Sequence, residues 1–214
     1  MSNEPFNISV KRFDEFAPQY ADRFNAIDAY LPSINQFCNL IKADRPKLLE
    51  LACGPGNVTK SLKQRFPDSN IVAIDLAPKM IDIARAQVKG VDFRIMDIRD
   101  ISSLPEKFDA IMCSFGLPFL SKADAVKLIG DCSKILNTNG AIYISTMEGD
   151  ESKAGFESTS FSSNSEVYFN YHRQKDIENA LTQNGFALQE TKRQEYSESD
   201  GSILIDMIFI GSKK

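Results

Sequence analysis

Leu49-Glu50-Leu51-Ala52-Cys53-Gly54-Pro55-Gly56-Asn57 is the stretch on which the reading of this chain turns. A short apolar run from Leu48 to Ala52 reads as a buried strand. It is followed at once by two glycines, and then by a helical pattern from Asn57 to Phe66 that stops at Pro67. A strand, a glycine turn and a helix in that order place backbone close to a ligand at the carboxyl end of a strand, where open α/β sheets bind.

Working outward, the pattern repeats. Ile71 to Ile74 reads as a second strand, Pro78 opens a helix that runs to Lys89, and Val91 to Met96 is a third strand. Phe108 to Cys113 is a fourth, Ala123 to Leu136 a helix ended by Asn137 to Gly140, and Ala141 to Ser145 a fifth. Near-continuous apolar strands spaced by helices predict a parallel sheet covered on both faces. A helix over Asp176 to Asn184 precedes two last strands, Phe186 to Tyr196 and Ile203 to Ile210, joined by a turn at Ser197 to Gly201. The expected fold is α/β and doubly wound. Its mainly parallel seven-stranded sheet carries an antiparallel last strand inserted beside the fifth.

One domain accounts for 214 residues. It divides into an N-terminal helical cap (1–45), a ligand-binding core (46–147), a Ser-, Glu- and Gly-rich lid or acceptor loop (148–170) and a C-terminal helix and hairpin (171–214). In the cap, Phe13, Phe16, Ala17 and Tyr20 recur at helical spacing, with breaks expected at Pro18 and Pro32.

Hydrophobic residues make up 43% and charged residues 25%, ordinary for a globular protein, and the net charge is −4. An acidic balance disfavours nucleic acid as a partner. The start MSNEPFNISVKRF lacks the pattern of a secretory signal, and the apolar run Ile203 to Ile210 is broken by Asp206, so no membrane span is expected. Cys38, Cys53, Cys113 and Cys132 form no CxxC pair and there is one histidine, so neither a metal site nor a disulfide framework is expected. The expected setting is the reduced cytoplasm.

The acids around the turn choose the ligand. Glu50 precedes it, Asp75 ends the second strand about twenty residues further on, and Asp97 follows the third. Three carboxylates at one crevice repel a pyrophosphate, and Thr59 stands where a dinucleotide fingerprint has its third glycine. A nicotinamide oxidoreductase is therefore the weaker reading. The acids suit a ligand that carries a sulfonium, an ammonium and an uncharged adenine.

LELACGPGNVT (49–59) resembles the first motif of the class I S-adenosylmethionine-dependent methyltransferases, AIDLAPKMIDIA (73–84) the second and RIMDIRDI (94–101) the third. FDAIMCSFGLPFL (108–120) and LNTNGAIYIST (136–146) resemble the fourth and fifth strands with their exits, and FDEFAPQY (13–20) the cap segment of small-molecule members. The lead into the first motif departs from the commoner Asp-Leu-Gly-Cys, but keeps an acid and a small residue. The resemblance implies S-adenosyl-L-methionine as cofactor. It implies a site built from Tyr20, Glu50, Ala52, Cys53, Gly54, Gly56, Asp75, Leu76, Met80, Asp97, Ile98, Ser114 and Phe115, with Asp75 on the ribose and Asp97 and Ile98 beside the adenine. A small-molecule acceptor is expected against Phe16, Phe115 and Tyr171, with His172 as the candidate base. Methylation of RNA or protein, and a module that binds the cofactor without turnover, are the alternatives.

Overall fold

The computed structural model describes residues 5–24, 26–159, 161–197, 201 and 203–214, with backbone alone for 162–164. Strands β1 (Lys47–Leu51), β2 (Asn70–Asp75), β3 (Asp92–Ile95), β4 (Phe108–Ser114) and β5 (Leu136–Met147) run parallel. Two further strands, β6 (Gly155–Thr159) and β7 (Ser162–Phe169), form a separate antiparallel hairpin. Strands β8 (Phe186–Ser197) and β9 (Ile203–Lys213) complete the main sheet, whose order is β3-β2-β1-β4-β5-β9-β8. The expected seven-stranded sheet is present, with β9 antiparallel to β5 and seated beside it. Residues 198–200 of the expected turn lie outside the described residues.

Alternate residues of the strands feed two cores. Leu49, Leu51, Val72, Ile74, Ile111 and Ile142 pack under helices α6 (Lys122–Ile135) and α7 (Gln174–Gln183). Leu48, Ile71, Ala73, Ala110 and Tyr143 pack under α3 (Leu31–Leu40), α4 (Asn57–Arg65) and α5 (Pro78–Gln87). This two-faced burial is why the strands read as continuous apolar runs. The chain winds outward from β1 to β3 and then returns to β4 beside β1. The carboxyl ends of β1 and β4 therefore diverge and open a crevice.

Three elements differ from their expected form. The cap is split: α1 (Pro5–Glu15) and α2 (Ala17–Arg23) lie over the crevice, whereas α3 covers the sheet. Pro18 and Pro32 stand in the first turns of α2 and α3, where a missing N–H costs nothing. Asn137 to Gly140 belongs to β5, whose register with β4 shifts between Phe108 and Ala110, with Asn139 at φ 60° absorbing the irregularity. Most of the segment read as a loop is the β6–β7 hairpin. Its order comes from α1: Ser9 is buried, and its hydroxyl accepts the Tyr168 N–H at 3.0 Å.

Candidate active site

The crevice is walled by residues from four strand ends and two cap helices. Tyr20, Ala52, Gly54, Asp75, Leu76, Met80, Ile98, Ser114 and Phe115 all line it. They lie between 20 and 115 in the chain, and the sheet topology is what brings them together.

The turn after β1 is left-handed at Ala52, Gly54 and Gly56. At Gly56 a Cβ would lie 3.1 Å from that of Ala84 on α5, so the glycine is required by close helix packing as well as by φ +90°. Ala52 at φ 52° and Phe115 at φ 55° are non-glycine residues in a region that costs an L-residue about 1–2 kcal/mol. Both stand at the divergent strand ends. Gly116 seals the gap between them, since a Cβ there would meet Ala52 Cβ at 3.2 Å and Cys113 Sγ at 2.8 Å.

Asp75 is the electrostatic centre. Its Oδ2 accepts the Gly54 N–H at 2.8 Å and its Oδ1 the Ala77 N–H at 2.9 Å. Each oxygen keeps lone-pair capacity toward the crevice it lines. Burial raises its pKa despite those two donors. Glu50, only 1% exposed, lies behind the turn. Burial outweighs the opposing effect of Thr59 and, with Asp75's charge adding, pushes its pKa from 4.5 to about 8, and its Oε2 has no hydrogen-bond partner among the described residues. Such an orphan is costly, and a nearby cation relieves it.

Cys53 is buried and its thiol is pushed up, first by desolvation, which makes it a packing residue. Asp97 caps the short 3₁₀ turn Ile98–Ser103, accepting the Arg99 N–H at 2.8 Å and the Arg99 guanidinium at 2.7 Å. That guanidinium lies 3.8 Å over the Phe6 ring, and Phe6 also walls the crevice.

The aromatic cap stacks over this floor. Tyr20 meets Phe13 edge-on at 5.5 Å, Phe24 at 4.7 Å and Phe161 at 5.3 Å, and Phe13 meets Phe119 at 4.9 Å. Burial raises the Tyr20 phenol to about 12, with Asp75 next in effect, so it is a neutral donor. The Tyr196 phenol contributes in the same direction at both Tyr20 and Tyr30.

Two expected acceptor residues, Phe16 and Tyr171, and the candidate base His172 are not among those that wall the crevice. Phe16 is the half-buried cap residue of α2. Tyr171 is buried and donates to Glu157 Oε1 at 2.7 Å. His172 is 3% exposed with Nε2 2.9 Å from the Leu117 carbonyl, and its backbone bonds the end of β5. An imidazole donating to a carbonyl, its pKa lowered by burial, is placed as a strut. Phe6, Val10, Phe13 and Phe119 line the crevice in their stead. Tyr30, missed in sequence, touches Phe115 edge-on at 5.3 Å.

Residues 48–140 match the family model of a methyltransferase domain. The demethylmenaquinone methyltransferase of Thermus thermophilus is 33% identical over 140 residues, which cover 62% of each chain. The matched stretches span between 20% and 62% of the length of these curated relatives. A methyltransferase from Clostridium acetobutylicum has the same fold, with a TM-score of 0.69 at 18% identity over 94% of this chain and 99% of that one. Magnesium protoporphyrin IX methyltransferase of Synechocystis, solved with bound S-adenosylmethionine, gives 0.63 at 15% over 100% of this chain and 86% of that one. The ordered motifs from Leu48 onward and the acid-braced glycine turn at the β1–β4 crevice thus lie in a stretch that matches a methyltransferase domain, within the fold of S-adenosylmethionine-dependent methyltransferases of known structure.

Proposed function

We propose that the protein transfers the methyl group of S-adenosyl-L-methionine to a small, largely apolar acceptor, and that it does so by alignment and water exclusion. The observation that carries this reading is the composition of the crevice. An acid-braced floor of Asp75, Gly54 and Ala52 faces a wall of Phe6, Val10, Phe13 and Phe119.

The donor set fits the cofactor. Asp75 would accept the two ribose hydroxyls, Ile98 and Met96 would flank the adenine, and Glu50 with its orphan oxygen would favour the cationic methionine end. When bound, the cofactor supplies an electrophilic methyl on a sulfonium. The chain's part is positioning: Tyr20 covers the floor, and Phe13, Phe115 and Phe119 exclude water from the line of attack. Among the described residues, the crevice wall holds, besides Asp75, only the high-pKa phenol of Tyr20 as a titratable group. This supports an acceptor that arrives as a competent nucleophile, such as an amine, thiolate or acidic hydroxyl. It also favours a structural role for His172.

Named substrates of relatives and neighbours, demethylmenaquinone, trans-aconitate and magnesium protoporphyrin IX among them, support a small-molecule acceptor. No helix among the described residues is long and apolar enough to cross a membrane. Four buried free cysteines support a reduced, cytoplasmic setting for the reaction. A screen of amines, thiols and phenols with methyl-labelled cofactor tests the proposal. Product formation is the expected result. Cofactor binding without any methylated product from such a panel would favour the binding module, and tighter binding of a nicotinamide dinucleotide would overturn the assignment.

A further inference from the structure

Asp206 interrupts the apolar strand β9 at the level of Met147, the last residue of β5, and so lies at the same edge of the sheet as the crevice. It is 4% exposed. Its Oδ2 accepts the hydroxyl of Tyr30 at 2.6 Å across 176 residues of chain. A buried carboxylate bonded to a phenol is one of the stronger neutral–ionic hydrogen bonds, and it removes the freedom of the ring that donates. That ring meets Phe115 edge-on at 5.3 Å with an interplanar angle of 74°. The Phe115 backbone is in turn left-handed, and its N–H is shared between the Ser145 carbonyl at 3.2 Å and the Ser145 hydroxyl at 3.1 Å.

These contacts form a chain from β9 through the entry to α3 to a ring in the crevice wall. We infer that Tyr30 and Asp206 are positioning residues for the acceptor: Asp206 fixes Tyr30, and Tyr30 holds Phe115 in the strained conformation that presents its ring to the crevice. Strain at φ 55° needs something to hold it, and a ring pinned from behind by a buried carboxylate supplies that where a backbone bond alone leaves χ free. The consequence is specificity. The size and orientation of the acceptor are set by a pair that does not touch it. That consequence rests on the proposed methyltransferase reading; the mechanical link between the three side chains does not.

The test reads the ring directly. Phenylalanine is labelled with ¹³C in the whole chain, the Phe115 resonance is assigned by its loss in Phe115→Leu, and its shift and flip rate are measured in Tyr30→Phe, Asp206→Asn and Asp206→Leu. Tyr30→Phe keeps the ring and removes only the hydroxyl. The expected result is a flip rate about tenfold faster in Tyr30→Phe and Asp206→Leu, the change that loss of a buried charged hydrogen bond corresponds to. Asp206→Asn, which still offers a carbonyl oxygen, should restore the wild-type rate. A lowered melting temperature with the Phe115 resonance and flip rate unchanged in Tyr30→Phe and Asp206→Leu would reduce the pair to a fold tie and overturn the inference. Calorimetry with S-adenosylhomocysteine on the wild-type protein runs alongside. Failure to bind there sinks the functional reading and leaves the ring measurement standing.

Discussion

The carboxylate of Asp75, at the end of β2, accepts the backbone N–H of Gly54 in the turn after β1 at 2.8 Å. Asp75 and the glycine turn are therefore one structural unit. Any substitution at 75 acts on the shape of the turn as well as on the proposed contact with the ribose hydroxyls.

Asp75→Asn should consequently be nearly as damaging as Asp75→Ala. Both carboxylate oxygens accept backbone N–H groups, Gly54 on one side and Ala77 on the other. An amide offers one acceptor and turns a donor toward the second N–H. Affinity for S-adenosylhomocysteine, measured by calorimetry, should fall about tenfold or more in both variants. An Asn variant with wild-type affinity would separate the turn from the acid.

Glu50 gives the stability of the protein a pH dependence. Its pKa rises from 4.5 to about 8 on folding because of burial. Between those values the unfolded chain has released the proton and the folded chain retains it. Stability from this group is therefore full below about pH 4.5 and is lost as pH rises toward 8, with a slope of up to ~1.4 kcal/mol per unit. Glu50→Gln should flatten that part of the urea-unfolding profile. A cationic ligand beside Glu50 should also expel its proton at pH 7, so the binding enthalpy should vary with the ionisation enthalpy of the buffer in the wild type and not in the variant.

The residues legible in the sequence were those whose role is local. Glycines in a strand–turn–helix context, Asp75 at a strand end and alternating apolar runs are fixed by neighbours within about ten positions. What escaped depends on distant pairing. The β6–β7 hairpin is polar and Ser-rich, and what orders it is contact with α1, some 150 residues away, through Ser9 and Tyr168. Asp206 was visible only as a break in an apolar run, and its partner Tyr30 lies in the cap. His172 stood in an aromatic run that suggested a pocket, but Tyr168 and Phe169 end β7, and Tyr171 and His172 are buried in a short extension whose backbone bonds the end of β5. The cap helices supply Phe6 and Val10 to the wall because α1 crosses the crevice, and no spacing rule on α1 alone reveals which face it turns inward.

Gly116→Ala should destabilise the protein by about 1–3 kcal/mol through overpacking, since the new methyl has Cys113 Sγ at 2.8 Å and Ala52 Cβ at 3.2 Å. Ala52 cannot retreat without altering the turn that holds Gly54, so affinity for S-adenosylhomocysteine should drop with stability. Gly155→Ala is the control, because the nearest atom to its Cβ is the Lys153 carbonyl oxygen at 3.9 Å. Urea midpoints for the two variants provide the comparison.

His172 provides the sharpest division between two accounts of the chemistry. If it removes a proton from the acceptor, its loss should cost ~10²–10⁴-fold in turnover. Its position argues for a strut: it is buried, with Nε2 2.9 Å from the Leu117 carbonyl in the segment that follows Phe115. A carbonyl can only accept, so the ring donates from Nε2 and is held neutral, its pKa lowered by burial. The unfolded chain takes up a proton near pH 6.5 before the folded chain does. The contribution of His172 to stability is therefore present above pH 6.5 and is lost as pH falls toward its lower folded value. His172→Gln keeps an N–H donor for the carbonyl and removes the titration. Urea unfolding from pH 5 to 8 should show wild-type stability declining below pH 6.5 more steeply than that of the variant. His172→Ala should lose about 0.5–1.5 kcal/mol for the hydrogen bond, since the Leu117 carbonyl keeps the Leu120 N–H at 2.9 Å, with a further cost for the cavity left by a buried ring. Turnover of the folded fraction of either variant, measured at pH 8 on the acceptor returned by the labelled-cofactor screen, should stay far from a hundredfold loss. A folded His172→Gln enzyme that loses a hundredfold or more in turnover while binding S-adenosylhomocysteine normally would instead make His172 the base, and would require the acceptor to reach it past Leu117.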